Sequence, residues 1–142
     1  RLPAVNYGAH ILVGDAGGNA AVIERLPERM AVRRPAGGLL FNTNHPLAPE
    51  TRQHNGADET FMENSQARYR RLEELLPHAP RTVEGVQRVL RDHTQPGAIC
   101  QHGGPAALHT TSSYVLLPAS RAMWVAAGCP CQYPYRAVHV DG

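Results

Sequence analysis

The sequence contains no lysine, because all 14 of its basic residues are arginine. This absence excludes a Schiff-base lysine, a phosphate-loop lysine and a lysine general base. No apolar run approaches the ~20 residues of a membrane-spanning helix, and the first residues lack the parts of a signal peptide. The net charge of +2 is small and the basic residues are spread along the chain. We therefore expect no nucleic-acid and no membrane partner.

Cysteine is also scarce. The three cysteines cannot all pair in disulfides within one chain, and by default we expect a cytoplasmic protein. A hydrophobic fraction of 42% and a charged fraction of 18% are typical of a globular protein. The length predicts a single domain over residues 1–142.

Hydrophobic patterning predicts an α+β protein with mainly antiparallel strands and two central helices. The first predicted hairpin turns at Gly14-Asp15-Ala16-Gly17-Gly18, where aspartate and glycine supply the turn chemistry. Pro77 is expected to end the first helix and Thr82 to cap the second. The polar stretch 46–60 predicts a long loop. The predicted strands are 7–13, 19–24, 30–34, 39–43, 98–101, 110–117, 122–127 and 136–140, and the predicted helices are 61–76 and 83–93.

The most informative stretch is Gly37-Gly38-Leu39-Leu40-Phe41-Asn42-Thr43-Asn44-His45-Pro46. It predicts a short strand that ends in side-chain amides and an imidazole. An amide held rigidly at a strand end can donate to an oxyanion, which makes Asn44 the candidate catalytic residue. The alternative is that Asn44 caps the turn before Pro46. Neighbouring strand residues face opposite sides, so His45 would share a pocket with Asn44 only beyond the strand end.

Other stretches follow in a suggestive order: His10 to Glu24, Ser65 to Leu76, Ala98 to His102, and Met123 to Cys131. Together with Thr43-Asn44-His45, this order resembles the acyl-CoA:6-aminopenicillanic-acid acyltransferase family of N-terminal-nucleophile hydrolases, over most of the chain. The resemblance implies the four-layer αββα sandwich, of which this chain would be the C-terminal portion. It also implies a nucleophilic cysteine, freed by autoproteolysis, that lies outside this chain.

The resemblance implies an acyltransferase or linear-amide hydrolase that needs no cofactor. Its substrate would be a small acyl compound (an amide or an acyl-CoA), and its partner would be the N-terminal portion of the same enzyme. Asn44 would form the oxyanion hole, while His45, Arg68 and Ser112 would contact substrate. An arginine at position 68 suits a carboxylate or a CoA phosphate. The alternative for Arg68 is a solvated Arg/Glu helix face that includes an Arg70–Glu74 pair.

Cys100-x-His102 and Cys129-x-Cys131 contain four potential zinc ligands. The one-residue spacing within each pair argues against zinc, because ligand pairs are usually two to four residues apart. We therefore predict no metal, and we expect Cys100 to be buried and inert. Two alternatives to the enzyme remain open: a non-catalytic binding or structural fragment, and a small zinc-stabilised domain.

Overall fold

The computed structural model describes residues 8–53 and 58–139. Two three-stranded antiparallel sheets precede and follow the helices in the chain, which agrees with the α+β prediction. The first sheet has the order β1-β2-β3 and the second β4-β5-β6. The strands are β1 Ala9–Gly14, β2 Ala20–Arg25, β3 Met30–Arg33, β4 Ser113–Leu117, β5 Ala122–Ala126 and β6 Arg136–His139; the helices are α1 Pro49–Arg52, α2 Glu59–Leu75 and α3 Val83–Leu90.

The predicted turn chemistry is confirmed at both expected positions. The Asp15 carboxylate accepts hydrogen bonds from the backbone N–H of Asn19 at 2.9 Å and from its side-chain amide at 2.8 Å. Gly18 takes a φ of +84° there, which a residue with a Cβ rarely adopts. At the start of α3, the Thr82 hydroxyl accepts a hydrogen bond from the Gly85 N–H at 3.1 Å.

The fourth predicted strand, 39–43, does not form. The segment has only an isolated bridge between Ala36 and Leu39, and side chains occupy its backbone groups instead. The carbonyl of Phe41 accepts a hydrogen bond from Arg33 Nη2 at 3.2 Å, and that of Thr43 lies 2.9 Å from His10 Nδ1. The apolar run therefore predicted a strand where side chains, rather than a neighbouring strand, hold the backbone of this segment.

Two further predictions are wrong in part. Residues 98–101 form no strand; the Cys100 N–H donates to the Asp92 carbonyl at 2.9 Å instead. The predicted loop 46–60 contains the short helix α1, while residues 54–57 of that loop lie outside the described chain. Helix α2 also begins earlier than predicted, since Asp58 caps it by accepting from the Phe61 N–H at 2.9 Å.

Each sheet has one covered face and one exposed apolar face. On the first sheet, Val22, Glu24 and Ala31 lie on the buried face. Strand alternation places four exposed apolar side chains on the opposite face; they are Ile11, Val13, Met30 and Val32. Leu12 is also exposed, but it pairs with Val22 and lies on the covered side, at the edge strand. The second sheet packs Val115, Ala126 and Tyr135 with Val83 and Leu90 of α3, and leaves Tyr114, Leu116 and Val138 exposed.

A buried carboxylate joins the first sheet to the segment that follows it. Glu24 is 0% exposed and accepts from Arg33 Nε at 2.6 Å, the Thr51 hydroxyl at 2.6 Å, and the N–H groups of Leu47 and Ala48 at 3.0 Å. Burial by itself raises the pKa of Glu24, but these hydrogen bonds outweigh burial and hold the pKa below its ordinary value. Glu24 thus fixes where the chain passes after Pro46.

No helix of the described residues is both long and apolar enough to cross a membrane.

Replacing Glu24 with alanine should strongly destabilise the protein. Removing one partner of a buried ion pair typically costs about 3–5 kcal/mol, because the remaining charge and donors lose their acceptor. Urea unfolding of Glu24→Ala measures the loss, with the exposed Glu63→Ala as a matched control expected within about 0.5 kcal/mol of wild type. A Glu24→Ala loss as small as that of the control would contradict this account of the network.

The contribution of Glu24 should also depend on pH. Its pKa in the folded protein lies below the unfolded value of about 4.3, so its stabilisation is fully present above that pH. The stabilisation is then lost as the pH falls through the folded pKa. The difference in unfolding free energy between wild type and Glu24→Gln should therefore stay constant from about pH 7 to about pH 5 and shrink below about pH 4. A difference that persists undiminished to about pH 2 would rule out the ionised carboxylate as its source.

Candidate active site

The segment that carries Asn44 is anchored to helix α2 by a buried serine. Ser65 is fully buried, and its hydroxyl accepts a hydrogen bond from the Asn44 N–H at 2.7 Å. The same oxygen lies 3.0 Å from the Thr43 hydroxyl and 2.9 Å from Nδ1 of His45. The Thr43 hydroxyl in turn donates to the Ser65 carbonyl at 2.9 Å. Ser65, a single residue of α2, therefore holds the consecutive residues Thr43, Asn44 and His45 in place.

The Asn44 side chain is paired with Arg68, one turn further along α2. Nη2 of Arg68 donates to Oδ1 of Asn44 at 2.5 Å, and Nε donates to Oδ1 of Asn64 at 2.9 Å. This pairing assigns the Asn44 oxygen to the guanidinium. The Asn44 N–H donors at Nδ2 then point away from Arg68, and no acceptor among the described residues engages them. Asn44 is exposed, so Nδ2 is accessible to a ligand.

The charge of Arg68 has no carboxylate partner in the described part of the chain. Its partners are the neutral amides of Asn44 and Asn64. Burial lowers the pKa of Arg68 from its ordinary value, although an arginine still keeps its proton at neutral pH. A half-buried cation without an anion favours negative charge nearby. The Asn44–Arg68 pair can therefore stabilise an oxyanion or hold an anionic group.

His45 occupies a different position from Asn44. Its ring is buried, packs edge-on against Tyr69 with centroids 5.6 Å apart, and forms part of the wall of a cleft of about 400 Å³. Burial lowers the pKa of His45, with a smaller contribution in the same direction from His10, so the imidazole is neutral at neutral pH. The other residues of the cleft wall are Pro46, Leu47, Arg52, Met62, Gln66, Tyr69, Arg70 and Glu73.

The structure thus joins Asn44 and Arg68 by a hydrogen bond, and His45 shares the Ser65 anchor with Asn44. Ser112 lies just before β4, and no hydrogen bond among the described residues joins it to Asn44 or Arg68. The predicted ion pair between Arg70 and Glu74 is wrong. In the described part of the chain, Glu74 pairs with Arg71 instead, at 2.9 Å. Arg71 also pairs with Asp92, whose carboxylate oxygen Oδ1 lies 2.8 Å from Nη2 of Arg71.

Sequence reasoning missed the residues that hold the site together. Ser65 lies three positions before Arg68 and thus on the same helical face, and this spacing could have pointed to it. Asn64 orients Arg68 from the preceding turn and is itself held by Gln101, with Nδ2 3.0 Å from Oε1. Glu24 carried a usable signal, because it alternates with buried Val22 in β2 and so had to face inward.

The described hydrogen-bond contacts of the three cysteines do not involve the Asn44 segment. Cys100 is buried, as expected, and burial raises its pKa to about 11. A thiol that stays protonated at neutral pH is a poor nucleophile. The sequence pairs Cys100/His102 and Cys129/Cys131 do come together in space, and His93 joins them.

The geometry suggests a class of protein, and a comparison with known proteins gives the family. The Asn44 segment, its anchor on α2 and the asparagine–arginine pair could stabilise negative charge in an acyl-transferring enzyme. The model of the family described as acyl-coenzyme A:6-aminopenicillanic acid acyl-transferase matches residues 3–132, and the chain therefore belongs to that family. This confirms the resemblance inferred from the sequence. A comparison with curated proteins found no match.

Replacing Ser65 with alanine should loosen the Asn44 segment. Loss of this hydroxyl leaves the Asn44 N–H without its acceptor, which typically costs about 1–3 kcal/mol. The loss should appear even though alanine favours a helix interior more than serine does. Urea unfolding measures it, with the exposed Ser120→Ala as the matched control. If both variants unfold at the same urea concentration as wild type, Ser65 is not the anchor described here.

Proposed function

We propose that this chain is the C-terminal portion of a cysteine N-terminal-nucleophile amidohydrolase or acyltransferase, with the nucleophile outside the chain. The observation that carries the proposal is the Asn44–Arg68 pair, in which the guanidinium takes the amide oxygen and leaves the amide N–H groups outward. An oxyanion hole needs such donors, fixed in place before the reaction begins. Family membership supports the same chemistry.

In the proposed mechanism, a cysteine with a free α-amino group attacks the carbonyl carbon of an amide or thioester. The amino group takes the thiol proton, and the carbonyl π electrons move onto oxygen. Nδ2 of Asn44 donates to that oxyanion. When the tetrahedral intermediate collapses, the C–N or C–S bond breaks, and the leaving group takes the proton from the amino group. Water or an amine then attacks the acyl-cysteine and regenerates the thiol.

Arg68 has two proposed tasks. It orients the Asn44 amide, and its uncompensated charge attracts an anionic part of the substrate, such as a carboxylate or a CoA phosphate. We place the acyl group in the cleft beside His45, whose neutral ring and Tyr69 provide an apolar wall. Ser112 remains a proposed substrate contact, which would require substrate to extend toward β4.

The exposed sheet faces support the proposed partner. Met30 is 64% exposed and Leu116 is 65% exposed, each on the uncovered face of its own sheet. In an αββα sandwich, sheets bury such faces against each other while helices cover the outer faces. Here α3 already covers one face of the second sheet. We propose that the N-terminal portion of the same enzyme, which brings the nucleophile, completes the sandwich against these faces.

Substitution of Asn44 tests the proposal. In the complete enzyme, Asn44→Ala should lower kcat by about 10²–10³-fold, because one oxyanion donor is removed, and it should change KM little. Arg68→Lys should also lower kcat, because lysine keeps the charge but lacks the planar fork that engages both asparagines. The assay uses a panel of para-nitroanilide amides and acyl-CoA thioesters.

The matched control is Asn19→Ala, which removes an exposed asparagine amide in the first hairpin. Its kcat should equal that of wild type. The 142-residue chain by itself should be inactive on the whole panel. If that isolated chain turns over substrate, the nucleophile lies within it and the assignment to an outside cysteine is wrong. If the complete enzyme is inactive on all substrates, the non-catalytic fragment becomes the better explanation.

A further inference from the structure

Two histidines and two cysteines converge at a place separate from the Asn44 segment. They are His93, Cys100, His102 and Cys131, and their potential ligand atoms all lie within 4.8 Å of one another. They come from three parts of the chain: the segment after α3, the loop before β4, and the turn between β5 and β6. Neither the proposed reaction nor the family name accounts for this convergence.

Four of the six ligand-to-ligand distances in the cluster lie close to the edges of a zinc tetrahedron, and the two between His93 and the sulfurs are within 4.8 Å. Bond lengths of about 2.3 Å to sulfur and about 2.05 Å to nitrogen imply edges of about 3.8 Å (S–S), 3.6 Å (S–N) and 3.4 Å (N–N). The Sγ atoms of Cys100 and Cys131 are 3.7 Å apart. Nε2 of His102 lies 3.4 Å from Sγ of Cys100, 3.2 Å from Sγ of Cys131 and 3.2 Å from Nε2 of His93.

We propose that His93, Cys100, His102 and Cys131 bind one structural zinc ion. Four protein ligands complete a tetrahedral shell and leave no open position for substrate, which is characteristic of structural rather than catalytic zinc. The two-sulfur, two-nitrogen set also favours zinc over the hard cations that prefer oxygen. His93 and His102 are exposed, so an ion can enter from solvent.

The backbone around the ligands is held by contacts that do not involve the metal. The N–H of Cys100 donates to the Asp92 carbonyl at 2.9 Å, which fixes the loop beside His93. Nε of Arg91 donates to the Pro130 carbonyl at 2.9 Å, which brings the turn carrying Cys131 to the end of α3. These contacts hold the three segments in register before the ion binds, so little chain entropy remains to be lost.

Cys129 takes a supporting position in this arrangement. Its Sγ lies 3.7 Å from Nδ1 of His102 and 3.2 Å from the Thr110 carbonyl. With Nε2 of His102 on the metal, Nδ1 carries the proton and donates toward the Cys129 sulfur. Metal-binding histidines usually have such a partner for their second nitrogen, which fixes the ring. Compared with the four potential ligands considered from the sequence, the proposed set therefore contains His93 and not Cys129.

The spacing that argued against zinc applies to only one of the two pairs in this geometry. Cys129-x-Cys131 contributes a single ligand, Cys131. Cys100 and His102 are both ligands one residue apart, and the loop already places Sγ of Cys100 3.4 Å from Nε2 of His102, close to the S–N edge of a tetrahedron. A disulfide between Cys100 and Cys131 is the competing explanation. It would need the sulfurs about 2.0 Å apart, whereas they stand 3.7 Å apart with two imidazole nitrogens beside them.

Metal analysis of the complete protein, expressed in zinc-supplemented medium and purified without chelator, tests the proposal. We expect about one zinc per chain. Exchange for Co²⁺ should give the strong visible d–d bands of a tetrahedral site together with thiolate-to-cobalt charge-transfer bands. Removal of the metal by a chelator should lower the melting temperature, and zinc alone should restore it.

Variants identify the ligands. Cys131→Ser and His102→Gln should each reduce bound zinc to about a tenth of the wild-type content or less under dilute-chelator dialysis, since each removes one of four bonds. His78→Gln is the matched control and should retain zinc, because it removes a surface histidine outside the cluster. Cys129→Ser should bind zinc more weakly than wild type but lose less of it than Cys131→Ser, because it alters the partner of His102 and removes no ligand. Circular dichroism of each variant checks that its fold is retained.

Three results would overturn the proposal. Folded wild-type protein without zinc that shows no cobalt spectrum would exclude the site. A Cys100–Cys131 disulfide, detected by mass spectrometry after alkylation without reductant, would assign the two sulfurs to a covalent bond. Loss of zinc in Cys129→Ser as complete as in Cys131→Ser would make Cys129 a ligand and exclude this ligand set. Metal content and the cobalt spectrum are measured on the wild-type protein, so they test the proposal even if a variant fails to fold.

Discussion

The path of the chain after the first sheet depends on one buried carboxylate. Glu24 binds Arg33 in the neighbouring strand and the N–H groups of Leu47 and Ala48 beyond the Asn44 segment. These contacts hold both ends of the segment 34–46 against the sheet. Ser65 then fixes Asn44, near the C-terminal end of that segment, to α2. Asn44 is therefore positioned by two anchors that lie on different elements, and neither anchor touches its side-chain amide.

Much of the fold follows from the sequence because local rules decide it. Asp15 and Thr82 satisfy nearby N–H groups, and alternation or helical spacing marks strands and helices. The missing strand 39–43 and the missing strand 98–101 show where local rules fail. An apolar run does not reveal whether a ladder partner exists. Here the side chains of Arg33 and His10 contact the carbonyls of the first segment, and the Asp92 carbonyl accepts the Cys100 N–H of the second.

The same distinction separates the predicted from the unpredicted parts of the site. Asn44 and Arg68 were named from sequence, but their hydrogen bond depends on how α2 lies across the segment. The cysteine–histidine cluster was judged on spacing alone, which suits ligands that are close in sequence. His93 is seven positions from Cys100, and Cys131 is a further 31 positions along. Only the packing of three segments brings them together.

The neutral surroundings of Arg68 have a consequence for how the protein responds to acidity. Its partners are amides, which do not titrate, and the guanidinium keeps its proton across the biological range. The charge that Arg68 places beside Asn44 should therefore be the same in an acidic and in a neutral compartment. Under the proposed mechanism, a bell-shaped pH–rate profile would then report the ionisation of the attacking thiol and its amine, and not that of Arg68.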